Sequence, residues 1–307
     1  MKKVTVVVPM YYEEEMVNAC YQELKKVLNG IKNYDYEMIF INDGSLDKTL
    51  PLLTKIANKD KKVKIISFSR NFGHQAAVSA GLKYVTGDAI VIIDADLQDP
   101  PKVIPDMLKL WEKGYEVIYG KRKLRKGESF FKLFTAKMYY KILNRLSSVN
   151  IPKDTGDFRL VDRKVVDVIN SLPEHNLFLR GLFSFVGFKQ IEFLYERDKR
   201  QAGETKYTLK KMLRLSSDGI IGFSDKPLSF LFTISAIFFI IAFVALVLLF
   251  IYPKHYLTFL MICLLNFNTS IIIFCLWLLS LYIRRINDEV RNRPLYIIDK
   301  TVNIKES

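Results

Sequence analysis

Cysteine and histidine are scarce, with three of each in 307 residues. Cys20, Cys263 and Cys275 cannot build a disulfide framework, and none has a partner at metal-ligand spacing. A Cys/His zinc site is therefore not expected. Glycine-rich phosphate fingerprints are missing too. No G-x-G-x-x-G follows the first strand-like run and no G-x-x-x-x-G-K-[ST] occurs, so dinucleotide redox and P-loop hydrolysis lose support. The opening Met1-Lys2-Lys3 and Val4 to Val8 is broken too soon by Pro9 to read as a signal peptide. What is abundant is apolar side chain, at 50%, and positive charge, with 46 Lys+Arg against 32 Asp+Glu. That much apolar surface excludes a disordered chain.

The apolar excess is concentrated late. No charged residue occurs from Leu228 to Tyr252, nor from Tyr256 to Ile283. Each run exceeds the ~20 helical residues that cross ~30 Å of hydrocarbon. The short Pro253-Lys254-His255 link makes them a hairpin. Lys206, Lys210, Lys211, Arg214 and Lys226 precede the first run, and Arg284, Arg285, Arg291 and Arg293 follow the second. Both basic flanks are expected on the cytoplasmic side of the inner or plasma membrane. The expected organisation is a cytoplasmic domain at 1–225, a two-helix transmembrane unit at 226–285 and a cytoplasmic tail at 286–307.

The first 120 residues alternate strand-like and helical stretches. Strands are expected at Lys3–Pro9, Glu37–Asn42, Lys64–Phe68, Ala89–Ile93 and Glu116–Tyr119, with helices between them. This is the pattern of an α/β domain with a mostly parallel sheet. Ligands bind such sheets beyond the carboxyl ends of the strands. Three strand ends carry polar residues: Pro9-Met10-Tyr11-Tyr12-Glu13, Asn42-Asp43-Gly44-Ser45 and Asp94-Ala95-Asp96-Leu97-Gln98-Asp99. Each alone reads as turn or helix-start chemistry. Together they converge on one sheet edge.

Asp94 and Asp96 are the most informative pair. Two carboxylates one residue apart repel unless a cation or several donors neutralise them. Oxygen ligands suit Mg²⁺ or Mn²⁺, which commonly bridge substrate phosphates. Such a cation makes a diphosphate a good leaving group.

The segments VPMYYEEE (8–15), INDGS (41–45), SRNFGHQAAVSAGL (69–82), DADLQDPP (94–101), TGDFRLVDR (155–163) and RQAGETKYTLKKM (200–212) closely resemble glycosyltransferase family 2. Within it they are similar to the polyprenyl-phosphate glycosyltransferases, and the resemblance covers nearly the whole chain. It implies a GT-A fold. It also implies that Pro9, Tyr11, Glu13, Ile41 and Asp43 hold the nucleotide base and ribose. By the same resemblance Asp94, Ala95 and Asp96 meet the diphosphate, with Asp94, Asp96 and Gln98 on the metal. Arg122, Arg200 and Lys206 match phosphate-binding cations, and Asp157 matches an acidic residue near the acceptor, so Asp157 and Asp96 are the expected catalytic pair. Two departures stand out: Tyr12 replaces a usual Asn, and Asn42 replaces a frequent Asp.

The resemblance implies inverting transfer of a sugar from UDP-glucose or UDP-GlcNAc, with GDP-mannose as the alternative donor, to undecaprenyl or another polyprenyl phosphate. A processive synthase would need more spans and a Q-x-x-R-W motif, and the two tryptophans, Trp111 and Trp277, do not supply one. A non-catalytic sensor would have no need of Asp96 and Asp157. Segments 128–148 and 206–223 are expected to be amphipathic helices on an anionic lipid surface. No nucleic-acid-reading module accompanies the net charge of +14. The hairpin is a candidate surface for a homo-oligomer.

Overall fold

The computed structural model describes residues 1–122, 155–172, 178–196 and 293–304, with scattered helical positions between 261 and 290. Segments 128–148 and 206–223, the run 228–252, and Arg200 and Lys206 lie outside the described residues, as does much of the run 256–283. No helix among the described residues is long and apolar enough to cross a membrane.

The elements run β1 (Lys2–Met10), α1 (Val17–Asn29), β2 (Tyr34–Asn42), α2 (Thr49–Lys59), β3 (Val63–Phe68), α3 (His74–Lys83), β4 (Ala89–Ile92), α4 (Ile104–Glu112) and β5 (Val117–Arg122). They continue with β6 (Thr155–Asp162), α5 (Arg163–Ser171), α6 (Leu179–Phe185), β7 (Gln190–Tyr195) and β8 (Ile298–Val302). One eight-stranded sheet results, in the order β7-β5-β6-β4-β1-β2-β3-β8. Neighbours β1–β2, β1–β4, β2–β3 and β5–β7 are parallel; β6 and β8 run antiparallel to their neighbours.

Both faces of the sheet are covered, which is why β1, β2 and β4 read as unbroken apolar runs. Val4, Val6 and Val8 pack towards α1, α2 and α4 through Leu24, Leu53 and Met107. Val7, Ile39 and Ile66 face α3, α5 and α6 through Ala77, Val166 and Leu182. Close approach of α3 depends on Gly81, where a Cβ would lie 2.4 Å from Val7 Cγ1 and 2.9 Å from Ile41 Cδ1.

The tail is more than a tail. Segment 293–304 returns to the sheet, pairing Val302 with Ile65 and Lys300 with Ser67. Tyr296 stacks on Phe68 with ring centroids 5.0 Å apart. Asn303 donates its side-chain amide to the carbonyls of Ala57 and Val63, at 2.7 and 2.8 Å. The outer edge of β3 is thereby capped by residues that follow the long apolar runs in sequence.

One buried carboxylate secures the central strands. Glu37 on β2 lies opposite Thr5 on β1. It receives hydrogen bonds from Thr5 and Lys3, both at 2.7 Å, and from the Thr86 N–H at 2.9 Å, and it pairs with Lys64 at 2.7 Å. Burial pushes its carboxyl up, but the hydrogen bonds from Lys3, Lys64 and Thr5 outweigh that and hold it at about 2. A folded-state value below the unfolded 4.5 stabilises by on the order of 3 kcal/mol. The sign follows directly. The contribution is complete above about pH 4.5 and is lost as pH falls towards about 2. Urea unfolding of Glu37→Gln should therefore show a large deficit at pH 7 that shrinks steadily between pH 4.5 and 2. A deficit independent of pH would assign the loss to packing instead.

Candidate active site

The carboxyl ends of β1, β2 and β4 lie side by side, because these strands pair in parallel. The turn after β1 carries Tyr11, Tyr12 and Glu13. Tyr12 sits at φ 53, and its N–H donates to Ser45 Oγ at 3.0 Å. The Glu13 N–H donates to Thr49 Oγ1 at 3.0 Å. The first and second polar strand ends are thus tied to each other. Pro9 and Ile41 are buried in their strands and oppose one another in register.

Asp43 is buried and held by the loop before α3. Phe72 N–H donates to Oδ1 at 2.7 Å, and Gly73 N–H and the Asn71 amide donate to Oδ2 at 3.0 and 2.8 Å. Gly44 beside it has φ +66, and a Cβ there would lie 2.3 Å from the Arg70 carbonyl carbon. Only glycine lets the two loops meet. Asn42, the departure noted above, donates to Ser67 Oγ at 3.0 Å and accepts from the Ser45 N–H at 3.3 Å. In this chain that position braces the turn.

After β4 the chain turns sharply through Asp94 to Asp99. Leu97 has φ 53, uncommon for a branched side chain. The Gln98 N–H donates to Asp96 Oδ1 at 3.1 Å, which brings the Asp96 carboxylate and Gln98 into one loop. Asp96 is 7% exposed, and Ala95 is buried beside it. Asp99 is buried and accepts from the Tyr195 hydroxyl at 2.5 Å.

Antiparallel pairing sets Ile92 opposite Arg159, and continuing that register by two residues brings Asp94 to Asp157. The third carboxylate of the site is therefore delivered by β6 rather than by a parallel strand. Arg180, from the first turn of α6, grips Asp157 with Nε 2.8 Å from Oδ1 and a terminal nitrogen 3.1 Å from Oδ2. His74, the first residue of α3, places Nε2 3.2 Å from Asp157 Oδ2 and 3.9 Å from Asp94 Oδ1. The shorter contact is an ion pair. Arg159 turns aside, donating to the carbonyls of Asp157 and Gly156 and covering the Phe183 ring.

Electrostatics follow from this crowding. Burial raises the Asp94 carboxyl, and despite the pull of His74, nearby Asp157, Asp99 and Asp96 help push it up to about 6. Burial alone would lower His74, but Asp157 and Asp94 lift it to about 9, so it is a cation at neutral pH. Burial would raise Asp157 as well; Arg180 and His74 prevail and hold it well below the usual carboxylate range.

Among the described residues no three His, Cys, Asp or Glu groups are gathered around one point. Two carboxylates and an amide oxygen on one loop fit Mg²⁺ or Mn²⁺ nonetheless, since such ions typically take one or two carboxylates and draw their remaining ligands from phosphates and water. The crowding around Asp94 has the sign that a cation would relieve. Arg122 closes β5 opposite Tyr195 of β7.

Sequence reasoning gave no role to His74 or Arg180. A signal for Arg180 was present: it is the only charged residue between His175 and Lys189.

In a doubly covered, mostly parallel α/β sheet the ligand site lies beyond the carboxyl ends of the strands, which is the edge where these acidic loops meet. Residues 5–169 match the glycosyl transferase family 2 profile, and the chain belongs to that family, as a glycosyltransferase with a GT-A-like fold. It is 48% identical to the uncharacterized glycosyltransferase YkcC of Bacillus subtilis, over 98% of this chain and 94% of that one. It is 38% identical to the SfII prophage-derived bactoprenol glucosyl transferase of Shigella flexneri, over 97% and 98% of the two chains. Among solved structures, glucosyl-3-phosphoglycerate synthase from Mycobacterium tuberculosis, in complex with Mn²⁺, UDP and glucosyl-3-phosphoglycerate, aligns with TM-score 0.49 and 16% identity, over 72% of this chain and 78% of that one.

Proposed function

We propose that this chain transfers a hexosyl group, from UDP-glucose or UDP-GlcNAc, to a polyprenyl phosphate with inversion at the anomeric carbon. The observation that carries this reading is the meeting of Asp94, on the loop with Asp96 and Gln98, and Asp157 of β6 at one sheet edge. The first loop suits a donor diphosphate, and the Asp157 carboxylate suits an acceptor arriving from the far side. Near full-length identity to a bactoprenol glucosyl transferase supports the acceptor class.

Asp94, Asp96 and Gln98 would hold Mg²⁺ or Mn²⁺, whose positive charge would stabilise the departing nucleoside diphosphate. Tyr11, Glu13 and Asp43, with Pro9 and Ile41, are assigned to the nucleoside of the donor. Arg122, Arg200 and Lys206 are assigned to phosphate oxygens. The acceptor phosphate needs no activation, since its second pKa near 6 leaves it largely a dianion at neutral pH.

Runs 228–252 and 256–283 are assigned to a membrane hairpin, with segments 128–148 and 206–223 on anionic lipid and the catalytic unit on the cytoplasmic face. The return of Ile298–Val302 to β3 supports this topology. A chain that leaves the domain across a bilayer must cross an even number of times before β8 can pair. Ending the chain near Gly222 would remove β8 and expose β3, so a linker that keeps β8 is the variant to compare.

The experiment offers a panel of nucleotide-sugars and undecaprenyl phosphate in vesicles to the whole protein, and to a variant whose 228–283 segment is replaced by a flexible linker. The whole protein should form a lipid-linked sugar from a UDP-sugar. The linker variant should still bind UDP, yet transfer poorly to vesicle-borne acceptor and better to a short soluble one. Equal rates on vesicles would show that the spans serve something other than acceptor presentation. A donor preference for GDP-mannose would favour the alternative donor.

A further inference from the structure

The contacts of Asp157 give it two cationic partners that the transfer reaction as outlined leaves without a role. Arg180 meets both carboxylate oxygens, and bidentate pairing of this kind fixes orientation as well as charge. His74 approaches Oδ2 from the other side and reaches towards Asp94. The two cationic residues come from helix starts that are themselves joined, since the Leu179 N–H donates to Gln75 Oε1 at 3.1 Å. The loop leading into His74 is the one that wraps Asp43. A continuous set of contacts thus runs from Asp43 through residues 71–75 to Arg180 and Asp157.

Charge counting shows what the set does. An acceptor phosphate dianion attacking a sugar held above Asp94 must come near Asp157. Two negative groups a few ångströms apart repel strongly at a partly buried site. Arg180, gripping both oxygens of Asp157 with His74 alongside, offsets the charge of that carboxylate, so the dianion meets a compensated group there. We propose that Arg180 is a positioning residue for the acceptor: acting through Asp157, with His74 as its second arm, it holds that carboxylate compensated and fixed so that a phosphate dianion can approach. This rests on the acceptor class proposed above and adds the residue that makes the site admit it.

The test uses the full-length protein, undecaprenyl phosphate in phosphatidylglycerol vesicles and the UDP-sugar the wild type accepts. Arg180→Gln should raise the acceptor KM by about tenfold to a hundredfold, the effect of one uncompensated like charge. Donor KM and calorimetric UDP affinity should stay within about twofold, a change of no more than a few tenths of a kcal/mol. Arg180→Lys, which restores the charge without the fork, should fall between. The decisive arm is Arg180→Gln combined with Asp157→Asn. Removing the stranded carboxylate should bring the acceptor KM back towards the wild-type value while kcat stays low. An acceptor KM unchanged in Arg180→Gln, or one that the second substitution does not improve, overturns the inference. So does an equal loss of UDP affinity and thermal midpoint in both Arg180 variants, which would make Arg180 a brace for the fold. Absence of transfer to polyprenyl phosphate by the wild type would instead overturn the functional reading, and that outcome is visible before any variant is made.

Discussion

Asp96→Asn is expected to lower transfer by about a hundredfold to a thousandfold, the typical loss when one electrostatic contact to a transition-state charge is removed. The substitution is chosen for what it leaves alone. Asn keeps the size of Asp and retains an oxygen to accept the Gln98 N–H, so the turn through Leu97 should persist. What disappears is one negative charge on a side chain only 7% exposed. Asp94 is the less clean target, because its carboxylate also lies 3.9 Å from His74 Nε2. Removing Asp96 leaves Asp94 and Gln98 as the loop's remaining ligands, and a Mg²⁺- or Mn²⁺-bound diphosphate should then be held weakly. Chelator should abolish wild-type activity, and added Mg²⁺ or Mn²⁺ should restore it. Initial rates and UDP calorimetry, each with and without metal, measure both effects. Full turnover by metal-free wild type would remove the metal from this site altogether.

The half of the fold that was legible is the half built from local pattern. Strands β1 to β4 are short apolar runs, β2 ending at Asn42 and β4 running out just before Asp94, and the helices between them keep their apolar positions at helical spacing. Boundaries moved where a turn competes. Helix α1 begins only at Val17, after a turn in which the Glu13 carbonyl accepts from the N–H groups of Met16 and Val17. The antiparallel strands were not legible. TGDFRLVD reads as a motif, and its place between β4 and β5 is set by partners distant in sequence. IDKTV is short and polar, and nothing local announces that Val302 will lie beside Ile65. The site shows the same division. Loop carboxylates of the first half could be located from strand ends, whereas the meeting of Asp157, Arg180 and His74 depends on β6 and α6 arriving at the same edge. Asp162 caps α5, accepting the Lys164 N–H at 2.9 Å.

Asp157→Asn is expected to cut kcat by about two to three orders of magnitude with UDP affinity nearly unchanged. The reason is not proton removal. A sugar hydroxyl acceptor would need a general base near neutral pH, but a phosphate monoester with its second pKa near 6 arrives already deprotonated. Asp157 is also poorly suited to the task. Although burial opposes ionisation, Arg180 and His74 hold its carboxyl well below the usual range, and so weak a base gains little by taking a proton at pH 7. Its fixed charge can instead favour the positive character that develops at the anomeric carbon as the diphosphate leaves. Asn keeps the shape and removes that charge, so kcat should fall. The acceptor KM should hold or decrease, since Arg180 and His74 are left as uncompensated cations facing the phosphate. The pH profile separates the two accounts. The wild-type rate should rise as the acceptor loses its second proton around pH 6 and show no further rise above pH 7.5, where Asp157 has long been ionised. An Asp157→Asn enzyme restored to full activity by raising the pH would show that the carboxylate does remove a proton, and the electrostatic role argued from its two cationic partners would be wrong.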